Sequence, residues 1–346
     1  MRRSVLILMI TLAGILWAQQ SPLPITSYDY ATPENSVSAI AIGTGALNIT
    51  NGDDPFASFS NPALLADNES TSVFTSFRLA GEKELSFWEA ASISNTLRAK
   101  QFKYFTAVAK NMAFSYQPVA SLHISEMDPV AHTSLYYDYK LDKVQMSMGI
   151  TDKNWPHLAA GLNLKYLSGR LVYLEESIQG NEFQRIHFID DKVKGFSTDL
   201  GFLYHTDSFS YAITAYDLVS GLYWENYPTK TIQRRIATGV SLGSGTSKTT
   251  FGVQSKLSKK TDTTYHIGYS NGLTWDGTDY LSGKNRNQGL DFRVGVYSRD
   301  FYGADNINFT IGGGYYYQLF RFDFSLNSQG MKMADSEILF AIGIGI

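Results

Sequence analysis

Along most of this chain apolar residues recur at every second position. Leu158, Ala160, Leu162, Leu164 and Tyr166 alternate with Ala159, Gly161, Asn163 and Lys165. Val144, Met146, Met148 and Ile150 alternate with Lys143, Gln145, Ser147 and Gly149, and Phe209, Tyr211, Ile213 and Ala215 with Ser208, Ser210, Ala212 and Thr214. Phe251, Val253 and Leu257 oppose Gly252, Gln254, Lys256 and Ser258, while Phe292, Val294 and Val296 oppose Arg293, Gly295 and Tyr297. Phe320, Phe322, Phe324 and Leu326 oppose Arg321, Asp323, Ser325 and Asn327. Successive side chains of a strand point to opposite faces, so each run predicts a β-strand with one apolar face. The final run, Asp335 to Ile346, puts Ile338, Phe340, Ile342, Ile344 and Ile346 on one face and Glu337, Leu339, Ala341, Gly343 and Gly345 on the other. Pairing such a last strand with the first closes a sheet and leaves no edge.

The opposite faces hold Gly, Ser, Thr, Asn and Gln with isolated ions. A secreted β-sandwich also alternates, but its polar face meets bulk water and is usually richer in charge than a chain with 18% charged residues allows. The expected fold is therefore an all-β transmembrane antiparallel barrel whose polar groups meet one another in a narrow lumen. A spanning strand needs about 9–11 residues, so the length suits about fourteen strands. The alternation yields sixteen candidate strands between Ser70 and Ile346, against the roughly fourteen expected from a barrel of this length. Polar stretches at Gln179–Lys194, Val219–Lys230 and Asn271–Gln288 read as long loops. Long loops belong at the outer end and short turns at the periplasmic end. The candidates do not satisfy that alternation throughout, so some must merge or lie in a loop or plug.

The N-terminus does not alternate. Arg2 and Arg3 precede an apolar run from Val5 to Trp17, and Ala18 is followed by Gln19 and Gln20. These are the parts of a signal peptide, residues 1–18, cut after Ala18. A retained anchor is the alternative, but the run is shorter than the ~20 residues a spanning helix needs. Residues 19–69 form an N-terminal segment: Ser/Pro/Tyr-rich to Asn35, then compact and glycine-containing from Ser36 to Ala66. Residues 70–346 form the barrel. The 22 Tyr and 21 Phe against 5 Trp suit membrane–water boundaries. The absence of Cys removes disulfides, thiolate metal sites and thiol nucleophiles, and fits passage through an oxidising periplasm. A net charge of −3 offers no basic surface for nucleic acid. The expected location is the bacterial outer membrane, with outer-membrane lipid as partner.

Ala39-Ile40-Ala41-Ile42-Gly43-Thr44-Gly45-Ala46, followed by the Asp53-Asp54-Pro55 turn and Phe59-Ser60-Asn61-Pro62-Ala63-Leu64-Leu65-Ala66, resembles the N-terminal region of the PorV/PorQ-type proteins, within the wider FadL-like group of outer-membrane barrels. Gly161–Tyr166, Phe196–Tyr204 with Asp199-Leu200-Gly201, Ala215–Leu218 with Trp224, and Arg235–Gly239 resemble successive strands of that group, in order. The resemblance implies a fourteen-stranded barrel with the N-terminal segment folded into the lumen as a hatch. It implies one of two activities: carrying hydrophobic small molecules such as long-chain fatty acids through a hatch-gated lumen, or docking to secretion-system proteins and handing cargo to the surface. The chain departs from the family where its box continues with Leu64 rather than Gly, and where it ends in Ile346 rather than an aromatic residue.

Gly43, Gly45, Asn61, Pro62 and Ala63 form the candidate hatch box. Pro fixes φ and lacks an N–H, and Asn bonds neighbouring backbone, so the box reads as a rigid corner between plug and barrel, ahead of a direct ligand contact. The two glycines read as places of close backbone approach. Lys165, Asp199, Gln254, Lys256, Arg293, Arg321 and Asp323 are the candidate lumen-facing polar residues, read as a charge-paired network filling the barrel, with Arg321 meeting a carboxylate on a neighbouring strand. Gly243–Thr249 lacks the glycine before lysine of a phosphate loop and reads as a hairpin turn. The six His read as surface or loop residues without metal-ligand spacing. Glu175, Glu176, Asp190 and Asp191 frame a solvated loop, with a divalent cation as the lesser alternative. No nucleophile elbow or other catalytic box is present, so no enzyme activity and no cofactor is expected. Leu222, Tyr223, Trp224 and Tyr227 form a candidate exposed aromatic loop patch for docking.

Overall fold

A computed structural model describes residues 37–66, 68, 70–79, 100–128, 132–179, 182–244, 246–257, 262–278, 285–299, 301, 306–330 and 336–345. The candidate signal peptide, the Ser/Pro/Tyr stretch and Ile346 lie outside the described residues. The alternating part folds into strands β1 (Ser72–Leu79), β2 (Lys100–Ala109), β3 (Met112–Asp128), β4 (Thr133–Asp152), β5 (Trp155–Gln179), β6 (Glu182–His205), β7 (Phe209–Trp224), β8 (Arg235–Ser244), β9 (Ser247–Lys256), β10 (Asp262–Thr278), β11 (Asn285–Ser298), β12 (Ile307–Tyr317), β13 (Phe320–Gln329) and β14 (Ser336–Gly345). Each pairs antiparallel with the next, and Ser72–Leu79 of β1 pairs with Gly345–Ile338 of β14, closing the barrel.

The expected alternation holds. Leu158, Leu164 and Tyr166 are exposed outside, whereas Ala159, Asn163 and Lys165 are buried inside. Phe320, Phe322, Phe324, Ile342 and Ile344 are exposed outside, whereas Asp323, Ser325, Leu339 and Ala341 are buried. Among the described residues the sixteen candidate strands reduce to the fourteen of the barrel. Gln179–Lys194 is not a loop: β5 runs to Gln179 and β6 starts at Glu182. Likewise β7 takes Val219 to Trp224, β10 runs to Thr278 and β11 starts at Asn285. Short turns (110–111, 153–154, 206–208 and 318–319) gather at one end, where β8 ends at Ser244 and β9 starts at Ser247 within the Gly243–Thr249 stretch. In the expected outer-membrane location this is the periplasmic end.

The reason for the misread loop lies in β4, β5 and β6, of 20, 25 and 24 residues. Val144 faces Tyr166, which faces Phe196. Below that line, towards the short turns, the outward residues are apolar. The next outward row is Asp142–Ser168–Lys194, followed by Lys140–Arg170–Lys192. Inward residues change in the opposite sense, from Gln145, Lys143, Asn163 and Lys165 to Leu141, Tyr139, Leu167 and Leu171. The strands continue while their amphipathicity inverts, so charge on the outer face mimics a loop. At about 3.3 Å per residue, Leu167–Gln179 reaches roughly 40 Å further along the strand.

This upper part is a sheet of β3 to β7 that stands apart from its neighbours. β2 pairs with β3 only up to Tyr116, where the bulge at Pro118 follows, and β8 pairs with β7 only up to Tyr216.

Candidate functional site: the lumen and its N-terminal segment

Residues 37–66 lie inside the barrel. Two short helices, α1 (Ala39–Gly43) and α2 (Ala57–Ser60), are followed by a 3₁₀ turn, Pro62–Leu65. Ser38 caps α1, its Oγ accepting from Ala41 N at 3.0 Å, and donates to Asp54 Oδ2 at 2.5 Å. Asn48 Nδ2 and Phe56 N also donate to Asp54 (3.0 and 2.9 Å), closing the acidic turn. Burial pushes the Asp54 carboxyl above its ordinary range, and these three donors offset only part of that. Asn61 caps the 3₁₀ turn through Ala63 N (3.0 Å), with Pro62 at the first position. Its Nδ2 reaches back to Ile49 O (2.9 Å) and across to Phe202 O of β6 (3.4 Å).

The wall receives the segment through small residues. Gly149, Gly161 and Gly201 face one another across β4, β5 and β6. A Cβ on Gly161 would run into the Pro62 backbone, so only glycine admits the box at this depth. On the opposite wall Gly43 lies against Gly312, and Gly45, at φ +84°, lies against Gly295. Thr310 Oγ1 donates to Gly43 O (3.3 Å), and His266 Nδ1 donates to Gly45 O (2.6 Å). His266 is thus a buried anchor, contrary to its expected surface role.

Two charged layers flank the segment. In the first, Lys165 Nζ lies 2.6 Å from Asp199 Oδ1 and 3.1 Å from Asp217 Oδ1. Asp217, at φ +57° in a β7 bulge, also accepts from Ser197 Oγ (2.6 Å). Asn163 Nδ2 donates to Asp199 Oδ2 (2.9 Å) and to Ser58 O of α2 (3.0 Å), and Tyr216 OH donates to Ser60 O (2.6 Å). Lys143 sits 4.9 Å over the Phe59 ring, buried, and no ion pair reaches it among the described residues.

In the second layer Arg293 Nη2 lies 2.8 Å from both Asp291 and Asp323. Arg321 lies 2.8 Å from Asp323 on its own strand and 3.0 Å from Asp291, two strands away rather than on a neighbouring one. Lys256 faces inward by register but pairs with Asp262 (3.7 Å) near the opposite end of β9, so it joins neither layer; Gln254 shares its face.

Above the first layer the lumen is apolar. Val119, Tyr139, Leu141, Leu167, Leu171, Val193, Leu222, Trp224 and Ile232 form one buried cluster, with Tyr227 packed against it. The candidate docking patch is therefore not a surface: Leu222 and Trp224 point inward, and only Tyr223 is outside, stacked on Phe196. The inversion of the wall carried them in. Glu175 and Glu176 lie on β5, and Asp190 and Asp191 on β6, rather than in a loop. Asp190 pairs with Arg170 (2.7 Å), and buried Asp191 accepts from Glu225 N (3.0 Å) and Asn226 N (3.2 Å), holding the chain that crosses the cluster.

Sequence reasoning passed over Lys143, Asn163, Asp217, Asp291 and Lys248. Lys143 and Asn163 stand on the polar faces of marked strands, so their signal was present. Asp217 had none, because the bulge breaks the alternation around it.

At the end of the short turns a cavity of about 840 Å³ opens beside the acidic turn, lined among others by Asp53, Asp54, Phe74, His205, Lys248 and Arg321. A second, of about 330 Å³, lies beneath Ile40, among Asn51, Ser270, Thr274, Asp291 and Arg293.

The architecture is a closed fourteen-stranded antiparallel barrel with an apolar outer belt and a segment of its own chain in the lumen. Among solved structures the chain is similar to the P. putida toluene transporter TodX (10% identity, TM-score 0.55, covering 90% of this chain and 99% of that one). It is similar also to a Pseudomonas aeruginosa FadL homologue (11% identity, TM-score 0.51, 91% and 98%). No family model matches the chain, and no curated protein matches it. At these identities the likeness establishes the fold.

Proposed function

We propose that the protein resides in the bacterial outer membrane and carries hydrophobic small molecules inward, with residues 37–66 as the hatch. The observation that supports this most is the apolar cluster above the first charged layer: an outer lumen lined by Leu141, Leu167, Leu171 and Trp224 suits an apolar guest and repels a hydrated one. Lys143 is two residues below Leu141 on β4 and opposite Leu167 of β5, and Lys165 is two residues below Leu167. An amine without a carboxylate partner at the foot of an apolar cluster suits the head of a long-chain carboxylate. The hatch box then acts as the corner that seats the segment.

The test is uptake of a long-chain fatty acid and of its alcohol into proteoliposomes. Saturable uptake favouring the acid is expected, and Lys143→Met removes the preference. Leakage no faster than through empty vesicles overturns the reading.

A second reading, docking of secretion-system proteins as in PorV-type members, draws on the tip of the tall wall, where Met127, Phe183, Ile186 and Phe188 are exposed. Replacing Phe183 and Phe188 by Ser would then abolish capture of a protein partner while leaving uptake intact.

A further inference from the structure

The two cavities at the periplasmic end share four lining residues: Asp53, Lys248, Tyr316 and Arg321. These residues make the partition between them. Lys248 Nζ of β9 holds Asp53 Oδ2 at 2.8 Å and Asn51 Oδ1 at 3.1 Å, and Arg321 Nη1 of β13 donates to Asp53 O at 3.3 Å. The partition is thus one turn of the lumenal segment pinned by two cations of the wall.

The rest of the segment is held differently. On the β4–β6 side its backbone lies against Gly149 and Gly161 and its Asn61 and Pro62 side chains against Gly201, with buried bonds from Asn163 and Tyr216. That side has no slack. The Asp53 side chain is 73% exposed and Lys248 is 30% exposed, so their pair is screened by salt and contributes little. Arg321 keeps Asp291 and Asp323 when it releases the Asp53 carbonyl, so no charge is stranded.

The geometry points to the Asp53–Lys248 pair as a latch. When it opens, the two cavities join into one passage from beneath Ile40 to the periplasmic mouth, and the transported molecule leaves along the β9–β13 side of the segment. This rests on the transport reading above.

The chain has no Cys, so a cysteine pair introduced here reacts alone. In vesicles, the double variant Asp53→Cys/Lys248→Cys is bridged by a short reducible thiol cross-linker. Uptake of the fatty acid should stop on bridging and recover on reduction. Asp53→Asn should raise the uptake rate about two- to fivefold at low salt and abolish its rise with ionic strength. Equal uptake by bridged and reduced protein overturns the latch while leaving transport standing. Absence of uptake by the unmodified protein overturns the transport reading, and the latch with it.

Discussion

The lower and upper parts of β4, β5 and β6 are the same strands with opposite faces. Below the Val144–Tyr166–Phe196 line, apolar residues point out and polar residues point in. Above it, Asp142, Lys140, Arg170, Lys192 and Lys194 point out while Leu141, Leu167, Leu171 and Val193 point in. In the proposed membrane location, the outside solvent explains both. In hydrocarbon, an outward charge costs free energy and the lumen takes the polar groups. In water the hydrophobic effect reverses the choice, and the upper sheet buries its apolar face as a soluble sheet does.

The largest effects should come from the inner faces. Lys165→Met strands Asp199 and Asp217, buried, and should cost about 3–5 kcal/mol. Leu171→Ala, in the upper cluster, should cost about 2–5 kcal/mol through lost burial and the cavity left behind. Equilibrium unfolding by urea in lipid vesicles reads both. A near-neutral Lys165→Met would mean that the lower lumen is wet.

The outer faces sharpen the contrast, because one substitution should give two answers. Leu164→Arg introduces a charge in the belt and should cost about 2–4 kcal/mol. Ser168→Arg, four residues on and on the same face, should stay within about 0.5 kcal/mol. Equal costs in the same unfolding experiment would erase the boundary.

The smallest effect lies in the lumenal segment. Burial raises the Asp54 carboxyl, so the folded state binds its proton more tightly than the unfolded chain does. Its contribution to stability is full below the unfolded value of about 3.9 and is lost as pH rises through the folded value. The urea midpoint of Asp54→Asn relative to the unaltered protein should therefore climb from acid to neutral pH. A gap independent of pH would show that the carboxyl is not desolvated.

The barrel itself was legible, because period-two alternation survives wherever the two faces of a strand carry residues of opposite polarity. The upper wall was not, because its charged outer face looks like a loop when hydrophobicity is sought on the outside alone. Leu167 and Leu171 keep the alternation on the inner face, and following both faces through Tyr166 and Leu167 finds the inversion. The positions of Lys165, Asp199, Arg293, Arg321 and Asp323 on the inner wall follow from that alternation. Their partners do not, since the bulge that presents Asp217 and the register that brings Asp291 to Arg321 are set by pairing between strands. The glycines that admit Pro62 look, in sequence, like any small residue of a lumen face.

The boundary is tested most directly by single cysteines in this Cys-free chain, spin-labelled and reconstituted in lipid vesicles. Labels at Leu200→Cys and Lys192→Cys sit on the same outward face of β6, on either side of Phe196. The account predicts that the first collides with oxygen dissolved in hydrocarbon and the second with a water-soluble nickel chelate. Equal exposure of both labels to the chelate, or oxygen preference at Lys192, would contradict it.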